Sequence, residues 1–334
     1  MKQFRKGDDI LNSKKIFVTR RIPQPGLDLL KDFNVSINLE DRVLSRDELI
    51  AGAKGKDAVL CLLTDPINGD VMDALPTVKI FANYAVGFDN IDLEAATQRK
   101  TVITNTPGVL TDTTADTAWT LLMTAARRVV ESDTFTRAGK FKGWGPLMFL
   151  GVDIHEKTLG IIGMGRIGQA VAWRSRGFNM RIIYTDRKRI APELEKMLRA
   201  TFVTLDELLR ESDFVSLHVP LRRSTHHLIG KKQLEMMKKT AVLVNTSRGP
   251  VIDEKALVEA LKNQVIFAAG LDVYEHEPAL APGLAYLENV VVVPHIGSAS
   301  IDTRSKMATI AASNIVAFFN GEKPPNILNP DVLL

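Results

Sequence analysis

Leu159-Gly160-Ile161-Ile162-Gly163-Met164-Gly165-Arg166-Ile167-Gly168 (LGIIGMGRIG) is the stretch on which the fold turns. A short apolar strand runs into a G-x-G-x-x-G turn, and the turn opens a helical pattern, RIGQAVAWRSRG. A second apolar run follows and ends at Asp186, 18 residues beyond Gly168. Strand, glycine turn, helix, strand and acid in that order, with an interval of about 20, make a dinucleotide-binding βαβ unit. Each part has a physical task. Gly163 permits the tight turn, Gly165 lets a pyrophosphate approach the backbone, and Gly168 lets helix and strand pack closely. Arg166 and Ile167 begin the helix, whose unpaired N–H groups and positive dipole end face the phosphates. Asp186 is placed to accept hydrogen bonds from the adenosine ribose and to repel a 2′-phosphate, which favours NAD(H). The run Arg187-Lys188-Arg189 points the other way, because such cations hold that phosphate, so NADP(H) stays open.

Outward from this motif the chain alternates short β-branched runs with helical patterns. Toward the N-terminus, strands are expected at residues 16–19, 35–39, 58–63, 79–83 and 102–104. A helix is expected around residues 27–33, a capping box Ser45-Arg46-Asp47-Glu48 opens the next, and Asp92 caps a third. The wholly apolar run AVLCLL is that of a strand covered on both faces. A long helix is expected to open at the capping box Thr113-Thr114-Ala115-Asp116 and to run through Arg127-Arg128. Toward the C-terminus, strands are expected at residues 158–162, 181–185, 214–217, 241–245, 267–272 and 290–293. The last helix, residues 301–319, has no strand after it and would pack back on the first unit. The expectation is an α/β protein of two Rossmann-like domains with parallel sheets. The first domain would be discontinuous, residues 1–108 with 299–334, and the dinucleotide-binding domain would span residues 109–298, the active site lying in the cleft between them.

A length of 334 residues agrees, since single cores stop growing near roughly 250–300 residues. Lys+Arg 43 against Asp+Glu 39 leaves +4, spread along the chain, which gives no footprint for nucleic acid. No run approaches the roughly 18 apolar residues of a membrane span. Residues 1–13 mix Lys2, Arg5 and Lys6 with Asp8 and Asp9; they lack the apolar centre of a signal peptide and read as a frayed extension. One cysteine, Cys61, excludes an intrachain disulfide framework and Cys-based zinc or iron–sulfur sites. The expected setting is the cytoplasm.

Three residues carry the chemistry. Arg248 follows the apolar run AVLVN, Glu277 lies in EHEP beyond the run ending at Asp272, and His295 follows VVVVP. A keto acid receiving hydride needs a cation for its carboxylate and carbonyl, a proton donor, and a group that holds the donor in place. Here those three types stand just past strand ends, where an α/β sheet delivers its active site.

The segments VNTSRGPVIDEKALVEAL, AGLDVYEHEP and NVVVVPHIGSAS resemble hallmark segments of the D-isomer-specific 2-hydroxyacid dehydrogenase family. The spacings agree, 29 residues from Arg248 to Glu277 and 18 from Glu277 to His295. The likeness covers nearly the whole chain after Ser13, through NYAVGFDNID and TNTPGVLTDTTADTAWTLL, and runs closest to the glyoxylate/hydroxypyruvate reductase branch. It implies that His295 protonates the substrate oxygen, that Glu277 hydrogen-bonds and orients His295, and that Arg248 binds the carboxylate and polarises the carbonyl. It implies further that the amides of Val86 and Gly87 help hold the carboxylate and that Leu62 faces the substrate. Thr114 and Asp272 would lie at the nicotinamide end and Thr246 beside the cofactor, with Val219, Pro220, Ser247 and Gly297 also among the cofactor-binding residues. The formate dehydrogenases of the superfamily carry glutamine where this chain has Glu277, so the acid favours keto-acid reduction. The same chemistry on D-lactate/pyruvate, 2-ketogluconate or phosphoglycerate remains open, as does an NADH-sensing corepressor.

The remaining candidates read as structural. His226 and His227 are adjacent, would point to opposite faces of a strand, and are expected at the surface. His218, in SLHVP, is expected to be packed and hydrogen-bonded, and His155 to be a linker residue. Cys61, Met236, Met237, Trp119 and Trp173 read as core. Without HExxH or a Cys/His cluster, no metal site is expected. The loop of residues 143–151 (GWGPLMFLG) is apolar enough to demand burial against something, and the family likeness makes that a homodimer partner.

Overall fold

In the computed structural model, which describes residues 13–333, the chain divides into two compact units. One is built from residues 13–110 and 299–333, the other from residues 111–298. The expectation for residues 1–12 lies outside the described residues. No described helix is long and apolar enough to cross a membrane.

The first unit is a five-stranded parallel sheet of β1 (Lys15–Val18), β2 (Asn34–Ile37), β3 (Ala58–Cys61), β4 (Ile80–Asn83) and β5 (Val102–Thr104), in the order β2-β1-β3-β4-β5. Strands β3 and β4 are buried at every position, as their apolar sequences require of strands covered on both faces. The helix Arg46–Ala53 opens on the expected capping box: Ser45 accepts from Glu48 N, and Glu48 accepts from Ser45 N. Asp92 caps Leu93–Gln98 as expected. The C-terminal helix Ile301–Phe319 packs on the helix Gln24–Leu29 of this unit. The crossing is close, since a Cβ on Gly26 would lie 2.7 Å from the backbone of Ala308.

The second unit is a seven-stranded parallel sheet: β6 (Thr158–Ile162), β7 (Arg181–Thr185), β8 (Ala200–Phe202), β9 (Phe214–Leu217), β10 (Val242–Asn245), β11 (Ala268–Leu271) and β12 (Val290–Val292). Their order is β12-β11-β10-β9-β6-β7-β8. Strand β8 escaped the sequence reading because only Ala200 of its three residues is buried.

Helix Thr111–Ala126 corrects two expectations. It begins before Thr113, and Thr113-Thr114-Ala115-Asp116 is helix interior rather than a capping box. Asp116 does not reach back to cap; it accepts Arg174 Nε at 2.7 Å, while Arg174 Nη2 reaches Asp112 at 3.0 Å. The helix also stops short of Arg127. The carbonyl of Ala126 accepts Val152 N at 2.9 Å, Arg128 turns left-handed at φ 52°, and a separate helix Val129–Arg137 follows.

Candidate active site

Strand β6 is the switch point of the second sheet, because the chain runs outward from it in both directions, to β7 on one side and β9 on the other. Ligands of open α/β sheets sit past the carboxyl ends of the strands at such a point. There the glycine turn is closed by Gly163, which has φ +96° and donates its N–H to Thr185 O at 2.9 Å. A Cβ on Gly163 would lie 2.7 Å from the carbonyl of His218, and one on Gly168 would strike the carbonyl of Gly163. Gly165 differs: nothing stands within 4 Å of where its Cβ would be. Gly165 is also the N-cap of the helix Arg166–Arg174 and has no side chain to cap it, so the first-turn amides stay available. The Asp186 carboxylate accepts Met164 N at 2.8 Å and Arg187 N at 2.6 Å, which ties the acid to the turn it was expected to serve. Arg189 is engaged in a bidentate pair with Glu195 at 2.8 and 2.7 Å.

Two buried polar atoms at the ends of neighbouring strands have no partner, Nδ1 of His218 after β9 and Oγ1 of Thr246 after β10. Buried polar groups are normally paired, so orphans at a strand-end crevice are what a polar ligand would satisfy. Together with the open face of Gly165, they fit a dinucleotide lying across this edge. His218 stands one residue beyond the strand; its Nε2 meets Ser216 Oγ at 2.8 Å, and burial holds its pKa down at about 3, so the ring is neutral.

The three catalytic candidates follow the carboxyl ends of β10, β11 and β12. His295 Nδ1 and Glu277 Oε2 are 2.9 Å apart. Burial pushes the Glu277 carboxyl up, but the hydrogen bond and charge of His295, the N–H of Tyr274 at 3.1 Å and the charge of Arg248 outweigh it, leaving Glu277 below the usual carboxylate range. His295 itself is at φ 53°. Asp272 braces the turn around it, accepting Ile296 N at 2.5 Å and Gly297 N at 2.8 Å while its carbonyl accepts His295 N at 3.0 Å. Thr114 closes the cluster, its side chain standing 3.5 Å from where a Cβ on Gly297 would be. Thr114, Asp272 and Gly297 thus come together, although their sequence positions are far apart.

Arg248 is carried by a turn that Asn245 folds. The buried Asn245 side chain donates to Arg248 O at 2.9 Å and accepts from the N–H and hydroxyl of Ser247 at 3.0 and 2.7 Å. Gly249 then passes against the Tyr274–Glu275 backbone so closely that a Cβ would overlap the carbonyl of Tyr274. This contact sets the Arg248 turn beside the Glu277 loop. Tyr274, whose hydroxyl donates to Val293 O at 2.8 Å, links that loop to the strand that leads to His295. Asn245, Gly249 and Tyr274 were not singled out in the sequence; the repeated polar residues at the strand end in VNTSRG were the only signal for the first two. Val219 and Pro220 follow β9, and the carbonyl of Pro220 accepts the hydroxyl of Thr225 at 2.7 Å.

Within the first unit, Leu62 follows β3, and Val86 and Gly87 follow β4. The carbonyl of Val86 accepts Asn105 Nδ2 at 2.8 Å, and that of Gly87 accepts Asn83 Nδ2 at 2.9 Å. The loop is thereby held by its oxygens. Leu62 N donates to Asp65 Oδ2 at 2.7 Å.

Several structural readings need amendment. Trp119 and Cys61 are core, and Met237 is buried, but Trp173 is 46% exposed and carries the Arg176 guanidinium over its ring at 3.6 Å. Its amphipathic helix turns that position outward. His226 and His227 do not lie on a strand. They occupy a turn in which His227 has φ +50°, and that left-handed step sets both rings on one side, their centroids 4.0 Å apart. Trp144 and Leu147 of the apolar loop are 85% and 81% exposed.

The family model described as D-isomer specific 2-hydroxyacid dehydrogenase, NAD binding domain, matches residues 119–297. Glyoxylate reductase of Thermococcus gammatolerans is 51% identical over 324 residues, 96% of this chain and 97% of its own. Glyoxylate reductase of Korarchaeum cryptofilum is 53% identical over 323 residues, with the same two coverages. Among solved structures, the NADPH-dependent glyoxylate/hydroxypyruvate reductase of Sinorhizobium meliloti, in complex with NADP and malonate, superposes with a TM-score of 0.84 at 31% identity, covering 95% of this chain and 97% of that one.

Proposed function

The chain belongs to the D-isomer-specific 2-hydroxyacid dehydrogenase family, and from that premise we propose that it reduces glyoxylate or hydroxypyruvate, to glycolate or D-glycerate, with a nicotinamide dinucleotide. The observation that carries the reading is the 2.9 Å pair of His295 Nδ1 and Glu277 Oε2, set beside the Arg248 turn by the Gly249–Tyr274 contact. With Nδ1 committed to Glu277, the other ring nitrogen of His295 is the one left to give a proton to the substrate oxygen. The ionised Glu277 fixes the ring and compensates the charge of the protonated imidazole. Arg248 binds the carboxylate through its planar donor fork and polarises the carbonyl. The family resemblance is what assigns the N–H groups of Val86 and Gly87 to the substrate carboxylate and Leu62 to its side chain. The bound reduced nicotinamide supplies the hydride.

For the cofactor, the glycine turn, Asp186 and the orphaned atoms of His218 and Thr246 form the holding set, with Thr114, Asp272 and Gly297 toward the nicotinamide. NAD(H) is the favoured form; what supports it is that Asp186 is tied to the glycine turn through Met164 N and that Arg189 is occupied by Glu195. Arg187 and Lys188 are the remaining cations that would accept a 2′-phosphate. The reading includes a homodimer in which the exposed Trp144 and Leu147 become covered, and a cytoplasmic setting.

The test is loss of reduced-nicotinamide absorbance with NADH and NADPH, each against glyoxylate, hydroxypyruvate, pyruvate, 2-ketogluconate and 3-phosphohydroxypyruvate. Rapid oxidation with the first two is the expected result. Activity confined to the others would replace the substrate, and cofactor binding with no turnover on any acid would overturn the reading.

A further inference from the structure

The second unit holds a cluster that the catalytic reading does not use. His226, His227 and Glu275 each offer one ligand atom, and these three atoms all lie within 4.8 Å of one another. His227 Nε2 and Glu275 Oε1 are 2.6 Å apart, and the His226 ring lies against that of His227 at an interplanar angle of 30°. We propose that His226, His227 and Glu275 form a site for a divalent transition metal of the zinc class.

The donor set is the argument. Two imidazoles and one carboxylate with a side open to water suit Zn²⁺, Co²⁺, Ni²⁺ and Cu²⁺, whereas Mg²⁺ and Ca²⁺ take oxygen ligands. The backbone carrying each ligand is pinned. His226 N donates to Arg222 O at 2.9 Å, and His227 N donates to Pro250 O at 2.8 Å. Glu275 N donates to Glu254 Oε1 at 2.8 Å, while Glu275 Oε2 accepts Glu254 N at 3.2 Å, leaving Oε1 toward the histidines. Outer contacts of this kind orient ligands and govern affinity. Glu275 and His227 are half-buried and His226 is exposed, so an ion has both a wall and an entry. In a tetrahedral site with bonds of about 2.0 Å, neighbouring ligand atoms lie roughly 3.3 Å apart. An ion would therefore replace the shared proton of His227 and Glu275 and spread that pair by a fraction of an ångström, a small change for two side chains. No water, redox or group-transfer step is involved; the site is a staple.

Its position gives the staple a consequence. It joins the turn of residues 222–229 to the loop of residues 274–277, which carries Glu277 two residues beyond the ligand Glu275. Metal binding would stiffen the segment that presents Glu277 to His295, without touching either catalytic side chain. The proposal stands whether or not the substrate is glyoxylate.

The experiment uses the full chain, stripped with chelator and dialysed. Zn²⁺ is titrated calorimetrically, and Co²⁺ is followed by its visible d–d absorption. Wild type should take one equivalent of Zn²⁺ and give the intense cobalt bands of a four-coordinate N/O site. His226→Ala and Glu275→Gln, two independent routes to the same loss, should each weaken Zn²⁺ by about 10–100-fold, the scale of a lost ligand or its support. His155→Ala, at an exposed histidine elsewhere, should bind as wild type does. The proposal is overturned if wild type takes no stoichiometric Zn²⁺, or if both cluster variants retain wild-type affinity, which would assign the binding to other surface groups.

Discussion

The glycine turn after β6 and the trio after β10, β11 and β12 share one edge of one sheet, and they are built in opposite ways. The turn works by missing side chains. Gly163 and Gly168 leave room for protein, the His218 carbonyl and the turn's own backbone, whereas Gly165 leaves room for something outside the protein. The trio works by side chains that other side chains hold. Glu277 fixes His295, Asp272 fixes the turn after it, and Asn245 folds the turn that carries Arg248. A binding surface for a polyanion needs close backbone approach, while proton transfer needs a ring fixed to a fraction of an ångström. The two regions should therefore fail differently.

After His295 itself, the largest effect is expected at Arg248. Arg248→Ala should lower kcat/KM by about 10²–10³-fold, and Arg248→Lys should recover only part of it, because a point charge does not replace a planar fork. Titration of cofactor fluorescence should show binding nearly intact; a matching loss of cofactor affinity would place Arg248 in the first region instead of the second.

The glycines separate two kinds of space. Gly165→Val should weaken cofactor binding by about tenfold or more, about 1.4 kcal/mol, with little change in the thermal midpoint. Gly168→Ala should lower the midpoint itself, since its Cβ meets the Gly163 carbonyl. Equal midpoint losses would mean that Gly165 is as enclosed as Gly168.

Glu277→Gln sharpens the second region. Its folded pKa is depressed, so its pairing with His295 contributes above the ordinary carboxylate pKa, about 4.3, and is lost as pH falls through the lower folded value. Wild type should hold its activity through mildly acidic pH. The variant should lose turnover by about 10–100-fold and change the shape of its pH profile, and an unaltered profile would remove Glu277 from the proton relay. The smallest effect is expected at Asp186, where Asp186→Ala should shift the NADPH/NADH ratio of kcat/KM upward by several-fold.

Both regions were visible in the sequence to unequal depth. The glycine turn is a local motif, and its three positions and Asp186 could be placed from spacing alone. Arg248, Glu277 and His295 could be named because charged residues followed apolar strands, yet nothing local showed what braces them. Tyr274 and Gly249 meet backbone groups of distant segments, partners that exist only once the strands are laid side by side, while Asn245 acts within its own turn through a side-chain conformation that spacing does not reveal. The same limit explains the misread elements. The apparent capping box at Thr113 failed because Asp116 pairs with Arg174, 58 residues away. The period of a strand puts His226 and His227 on opposite faces, whereas one left-handed residue sets them side by side. Strands β3, β4, β9 and β10 were legible because both their faces are buried, while β8, with two exposed residues, carried no pattern to read.

In the proposed reaction His295, held by Glu277, gives the proton that completes reduction of a small 2-keto acid. The most direct test is His295→Ala, with kcat measured on glyoxylate and hydroxypyruvate and NADH affinity measured separately on the same preparation. If His295 is the proton donor, kcat should fall by about 10²–10⁴-fold with NADH affinity nearly unchanged. Turnover within a few-fold of wild type, or a loss explained by failure to bind NADH, would contradict it.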